Sequence, residues 1–217
     1  MLMTYLIKLM MCWGKNNKMN FYVQYQGTPK NINYNHVFVD AQETGSAWCK
    51  KNISKTTLFG YCSVGTWENW RKDAKSFPAS SLGSNVEGWA GEKWLKSNSK
   101  LLDIYKARIL ALKGLVDGID FDNVEICERE PSMKKFVTDV IAFAKTQGFL
   151  ISLRSYQSGI TPYCFLAEEV ISQNNFKYYQ KYKAPIYNLE YKKVSPSIKC
   201  TTAITNLALD GKKWQLI

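Results

Sequence analysis

The chain has 217 residues, 46% of them apolar, 14% aromatic and 22% charged, and a formal net charge of +11. That length suits one domain with one core, and the aromatic content excludes a disordered chain. A single histidine, His36, and the lack of any Cys-x-x-Cys pair argue against zinc, and no stretch reaches the ~18 apolar residues of a membrane span.

Residues 1–20 read as an N-terminal extension or the remnant of a signal peptide. MLMTYLIKLMMCWG is apolar but interrupted by Lys8, and it lacks a small-residue cleavage site. Export is the favoured reading, which makes Asn52-Ile53-Ser54 a glycosylation acceptor. Residues 21–217 form the folded domain. Runs of strand length recur at Phe21–Tyr25, Val37–Asp40, Thr57–Ser63, Leu115–Ile119, Phe149–Leu153, Tyr163–Ala167, Pro185–Leu189 and Thr201–Thr205. Helical spacing appears over Ser99–Lys113 (Leu101, Leu102, Tyr105, Ile109, Leu112) and over Ser132–Thr146 (Phe136, Val137, Val140, Ile141, Ala144). The second run stops before Gly148, a natural helix terminator. Such alternation predicts an α/β fold, and eight strand candidates suit a single (β/α)8 TIM-type barrel, short against the typical ~250 residues. Residues 66–97, rich in Gly, Ser, Trp and Asn, read as a long irregular loop on the active face.

Six cysteines (Cys12, Cys49, Cys62, Cys127, Cys164, Cys200) are too scattered for a disulfide scaffold. Cys62 and Cys164 lie in apolar runs and read as core residues, with one or two bridges left open in an exported protein. The lysines form no dense block and read as a solvated exterior, which argues against a nucleic-acid partner. GYCSVGT (Gly60–Thr66) has phosphate-loop glycine spacing without the lysine, and no Gly-x-Ser-x-Gly elbow exists. His36 reads as a polar residue entering a strand rather than a catalytic base.

LVDGIDFDNVE (Leu115–Glu125) is different, because a short apolar run leads straight into acids. Asp120 and Asp122 alternate by two and so project to the same side of an extended backbone. Asp40, Glu168 (with Glu169 beside it) and Glu190 also follow strand-like runs, so four strands end in an acid. Carboxylates converging at the C-terminal mouth of a barrel suit glycosidic bond cleavage, one as proton donor and one as nucleophile or base. Trp67, Trp70, Trp89 and Trp94 offer aromatic faces for sugar rings.

CSVGTWENWRKDAKSFP, LGSNVEGWAGEKWL, DGIDFDNVE and KAPIYNLEY, in that order, resemble glycoside hydrolase family 114, the endo-α-1,4-polygalactosaminidases. The resemblance runs from about Phe21 to the terminal LDGKKW. It implies a barrel, mostly secreted, acting on galactosamine-containing polysaccharide with no metal or other cofactor, and here working as a monomer. Asp122 falls on the family's catalytic aspartate and Glu168 on its partner, with Glu169 a one-residue competitor. Asp40, Arg71, Asn123, Glu190 and Tyr191 match groove positions, and Gln24, Trp89 and Glu92 match motif positions. Arg154-Ser155 stands where the family usually has Lys-Asn, and Arg154 is also expected at the substrate. Glu125 replaces the second aspartate of the signature, and Glu169-Val170 replaces Gln-Cys. The alternative implied by these departures is a degenerate barrel that binds glycan without cutting it.

Overall fold

A computed structural model of the chain describes residues 21–30, 32–155 and 159–167, together with 182, 184 and 186–188. In chain order its strands are β1 (Phe21–Gln24), β2 (His36–Val39), β3 (Thr57–Ser63), β4 (Thr66–Glu68), β5 (Leu82–Asn85), β6 (Glu92–Leu95), β7 (Gly118–Asp122), β8 (Leu150–Leu153), β9 (Cys164–Ala167) and β10 (Ile186–Asn188). The helices are α1 (Ala41–Thr44), α2 (Ser46–Asn52), α3 (Leu101–Ala111), α4 (Ile126–Arg129) and α5 (Met133–Thr146). Seven strands form one parallel sheet in the order β1-β2-β3-β7-β8-β9-β10, which curls into a nearly closed TIM-like barrel. The first and last strands approach across the seam, where the Phe21 and Tyr187 rings stand 4.3 Å apart. Of the strand candidates, Thr201–Thr205 lies outside the described residues.

Strict alternation sorts the side chains. Phe21, Val23, Phe38, Phe59, Cys164, Leu166 and Tyr187 pack together inside the barrel. Val37, Val39, Leu58, Ile119, Phe121, Ile151, Leu153 and Phe165 instead meet the helices in the outer core. The predicted helical faces supply that outer layer. Leu101, Tyr105 and Ile109 of α3 and Val137, Val140, Ile141 and Ala144 of α5 are all buried. Gly118 is required by the inner layer, because a Cβ there would collide with the Phe59 ring.

Three readings change. The predicted strand Leu115–Ile119 begins instead at Gly118, since Leu115 and Val116 are still bonded to the Leu112 carbonyl at the end of α3. Asp120 and Asp122 are thus inside β7 rather than beyond it. Second, residues 66–97 carry an antiparallel sheet of order β4-β6-β5 where an irregular loop was expected. Third, Asn52 is buried in the last turn of α2 and its amide donates to the Trp48 carbonyl at 2.9 Å, so the glycosylation acceptor is inaccessible. Cys49, Cys62, Cys127 and Cys164 are free thiols, and burial pushes that of Cys62 up to about 12.

His36 sits inside the barrel, its Nδ1 on the Tyr187 hydroxyl and its Nε2 3.2 Å from the Tyr163 hydroxyl. Burial lowers its pKa from 6.5 to about 4, so folding favours the neutral ring. The stabilisation is complete above the unfolded pKa and drains away as pH falls toward the folded one, by up to about 3 kcal/mol. Urea unfolding of the wild type should therefore show a marked loss of stability from about pH 7 to about pH 4. In His36→Gln that part of the loss should disappear, and an unchanged loss would assign it to other groups.

Candidate active site

The inward positions at the C-terminal ends of the strands build the mouth of the barrel. Register places Tyr61, Asp120 and Ser152 side by side on β3, β7 and β8, with Ser63 and Asp122 one layer higher. Asp120 is fully buried. Its Oδ1 accepts from the Ser152 hydroxyl at 2.7 Å, and its Oδ2 accepts from the Tyr25 hydroxyl at 2.9 Å and from Arg154 Nε at 3.0 Å. Burial raises its pKa, against the pull of Arg154 and the Ser152 hydrogen bond. Arg154 lies over the Tyr25 and Tyr61 rings, at 4.6 and 4.9 Å from their centres, and its Nη1 stands 3.4 Å from Asp122 Oδ2. Burial first, then the charges of Asp122 and Glu68, push the Tyr61 hydroxyl well above its ordinary pKa, so it stays protonated.

Asp122 ends β7 with its side chain 17% exposed, open to the mouth where Asp120 is sealed beneath it. Its Oδ1 accepts from the backbone N–H of Asn123 at 2.7 Å. Asn123 turns the chain at φ 55°, the one positive φ of a non-glycine residue among the described residues. Gly65 packs against this corner, and a Cβ there would collide with the Asn123 carbonyl.

The antiparallel sheet adds a second arm. Glu68 holds Arg71 through two bonds of 2.7 and 2.8 Å, and Arg71 Nη1 reaches Asp40 Oδ2 at 2.5 Å. The other oxygen of Asp40 caps α1 by accepting from the backbone of Gln42 and Glu43. Glu92 stands opposite Glu68 across the β4–β6 pair. Burial and then the Glu68 charge raise its pKa to about 7. Among the described residues, Asp40, Glu68, Glu92, Asp120 and Asp122 thus gather around two guanidinium groups, those of Arg71 and Arg154. The described side chains of the mouth are thus mainly acidic although the whole chain is strongly basic. Among the described residues no three His, Cys, Asp or Glu side chains converge as metal ligands would.

Of the residues expected at the substrate, Asp40, Arg71, Asp122, Asn123 and Arg154 come together at this mouth. Gln24 does not join them. It alternates with the inward Val23 and Tyr25, and its amide bonds the Tyr22 hydroxyl and the Gln26 carbonyl instead. Trp89 and Trp70 are solvent-exposed on the antiparallel arm, where the Asn69 N–H bonds the Gly91 carbonyl. Trp67 donates to the Ala74 carbonyl, and Trp94 lies under Arg129 at 4.4 Å, so both serve packing. Glu168, Glu190 and Tyr191 lie outside the described residues. Tyr25, Tyr61 and Ser152 join the mouth without a motif to announce them, and Glu68, inside the first resembling segment, joins it without having been singled out. Tyr61 and Ser63 were readable from their alternation with Phe59, but Glu68 depends on a sheet the sequence does not signal.

The Glycoside-hydrolase family GH114 profile matches residues 10–214, nearly the whole chain. Among solved structures, the chain is similar to Aspergillus fumigatus Ega3 in complex with galactosamine, at 21% identity and a TM-score of 0.69, covering 87% of this chain and 84% of that one. It is also similar to the glycoside hydrolase domain of PelA from Pseudomonas aeruginosa, at 12% identity and a TM-score of 0.58, covering 79% and 84% of the two chains. At those identities the likeness is one of fold. Among curated proteins none matches the chain in sequence. No described helix is long and apolar enough to cross a membrane. The chain belongs to glycoside hydrolase family GH114.

Removing one partner of a buried ion pair leaves the other charge uncompensated. Asp120→Ala should therefore lower unfolding free energy by about 3–5 kcal/mol, measured by urea denaturation near neutral pH. A loss under about 1 kcal/mol, the range of an exposed pair, would show that Arg154 does not depend on it.

Proposed function

We propose that this chain is an endo-acting hydrolase of α-1,4-linked galactosamine-containing polysaccharide, using two carboxylates of which Asp122 is one. The observation that carries the proposal is the contrast along β7. Asp120 is locked away beneath the mouth, whereas Asp122 is partly exposed on the same inward side. Family membership supports glycosidase chemistry, and the fold likeness to Ega3 in complex with galactosamine supports the sugar class. The excess of carboxylates over guanidinium groups at the mouth suits a polymer of protonated amino sugars, which the basic exterior would otherwise repel.

In this reading Arg154 and the Asn123 N–H hold the Asp122 carboxyl in place, Arg154 Nη1 at 3.4 Å from Oδ2 and the N–H donating to Oδ1 at 2.7 Å. That carboxylate faces the anomeric carbon, as nucleophile or as base for water, while a second carboxyl protonates the departing glycosidic oxygen. The resemblance assigns the second role to Glu168, with Glu169 next to it. Export to where such polymers lie belongs to the same proposal.

Release of new reducing ends from de-N-acetylated and N-acetylated galactosamine polymers tests the proposal. The wild type should cut within the chain, and Asp122→Asn, nearly unchanged in volume, should stay folded and lose roughly 10³-fold in rate. Glu168→Gln should lose a similar factor and Glu169→Gln little, and the reverse would move the role one residue along. A folded Asp122→Asn that keeps most of its activity would remove Asp122 from the chemistry, and binding without release by the wild type would make the barrel a glycan binder.

A further inference from the structure

Glu92 is buried yet has no ion pair among the described residues. Arg71 is engaged by Glu68 and Asp40, and Arg154 by Asp120 and Asp122. What reaches Glu92 is a chain of hydroxyls. The Asn123 amide nitrogen lies 2.9 Å from Ser63 Oγ and 3.3 Å from Thr66 Oγ1. Those two hydroxyl oxygens are 2.6 Å apart, and Thr66 Oγ1 is 3.1 Å from Glu92 Oε2.

Counting donors fixes the direction of this chain. Ser63 Oγ already accepts from the Asn123 amide and from the Thr66 backbone N–H at 3.1 Å, which fills both its lone pairs. Its one proton must then go to Thr66 Oγ1. Thr66 Oγ1, accepting from Ser63 and from Asn123, must in turn give its own proton to Glu92. Every bond runs one way and Glu92 is the terminal acceptor. The consequence at the mouth is that the amide nitrogen of Asn123 is committed inward. No described residue donates to its Oδ1.

We propose that Glu92 is a positioning residue that, through Thr66 and Ser63, locks the Asn123 amide beside Asp122 so that the mouth offers its substrate an acceptor there. The proposal rests on the hydrolase reading for its effect on rate. The charged groups facing Glu92 are Glu68 from β4, Arg71 just after it and Asp122 from β7. With its pKa raised to about 7, Glu92 changes charge in the neutral range while Oε2 remains an acceptor in either state.

Two measurements test this. In polymer cleavage, Glu92→Leu and Thr66→Val should each lower kcat by roughly 10²-fold, the scale of a misplaced reacting or orienting group. Glu92→Gln, which retains an acceptor, should restore most of that loss but abolish the change in rate that the wild type shows across neutral pH. In NMR spectra of the folded protein, the side-chain amide protons of Asn123 should shift with the same midpoint as the Glu92 carboxyl. Thr66→Val should uncouple them, and Asp122→Asn should lower the Glu92 midpoint. The spectra read the chain of bonds even if no polymer is cut, so failure of the hydrolase reading is seen separately. Wild-type kcat in Glu92→Leu, or Asn123 amide signals indifferent to the protonation of Glu92, would overturn the proposal.

Discussion

Arg154 is the pivot on which the mouth depends. A carboxylate buried as fully as Asp120 would carry a large desolvation cost with no cation beside it. The guanidinium of Arg154 supplies that cation at 3.0 Å, and its planar fork also reaches Asp122 at 3.4 Å while its face rests on Tyr25 and Tyr61. A lysine, the residue usual here in the resembling family, is a point charge without a rigid fork, so it would not hold two carboxylates at once in this way. Arginine at this position is therefore consistent with a strand that turns two acids inward, one anchored and one available.

The second arm follows the same balance of charge. Glu68 and Asp40 share Arg71, and Asp40 uses its other oxygen to cap α1. Both acids are thereby committed to structure. Of the remaining described carboxylates at the mouth, Asp122 meets a cation only at 3.4 Å and Glu92 meets the Thr66 hydroxyl instead. Acid and base groups in glycoside hydrolysis are separated by environment rather than by residue type. Here one carboxylate on β7 is sealed and one is open, and a glutamate on β6 is raised toward neutrality by burial and its neighbour Glu68.

The parallel barrel was legible in the sequence because its strands are apolar and its crossover helices are periodic. Phe21–Tyr25, Thr57–Ser63 and Ser132–Thr146 come within a residue or two of β1, β3 and α5. The start of β7 was displaced because apolar Leu115 and Val116 look like strand residues but complete the turn that ends α3. The β4-β6-β5 sheet was not legible, since its strands have three or four mixed residues and a register shift between Leu82 and Asn85. With it went the roles of Glu68 and Thr66. The gathering of Asp122, Asn123 and Arg71 at the mouth was legible through motif resemblance, whereas Gln24, carried over by the same resemblance, does not reach the mouth. Alternation with Val23 already pointed its side chain the other way.

In the proposed hydrolysis the scissile bond lies beside Asp122 inside the mouth. The most direct measurement is a crystal structure of Asp122→Asn with a galactosamine oligosaccharide spanning the cleft. The anomeric carbon of one sugar should lie within about 3.5 Å of the substituted side chain at that position, the contact distance of a reacting group. An oligosaccharide seated along Trp70 and Trp89 on the outer arm, with the mouth empty, would contradict it.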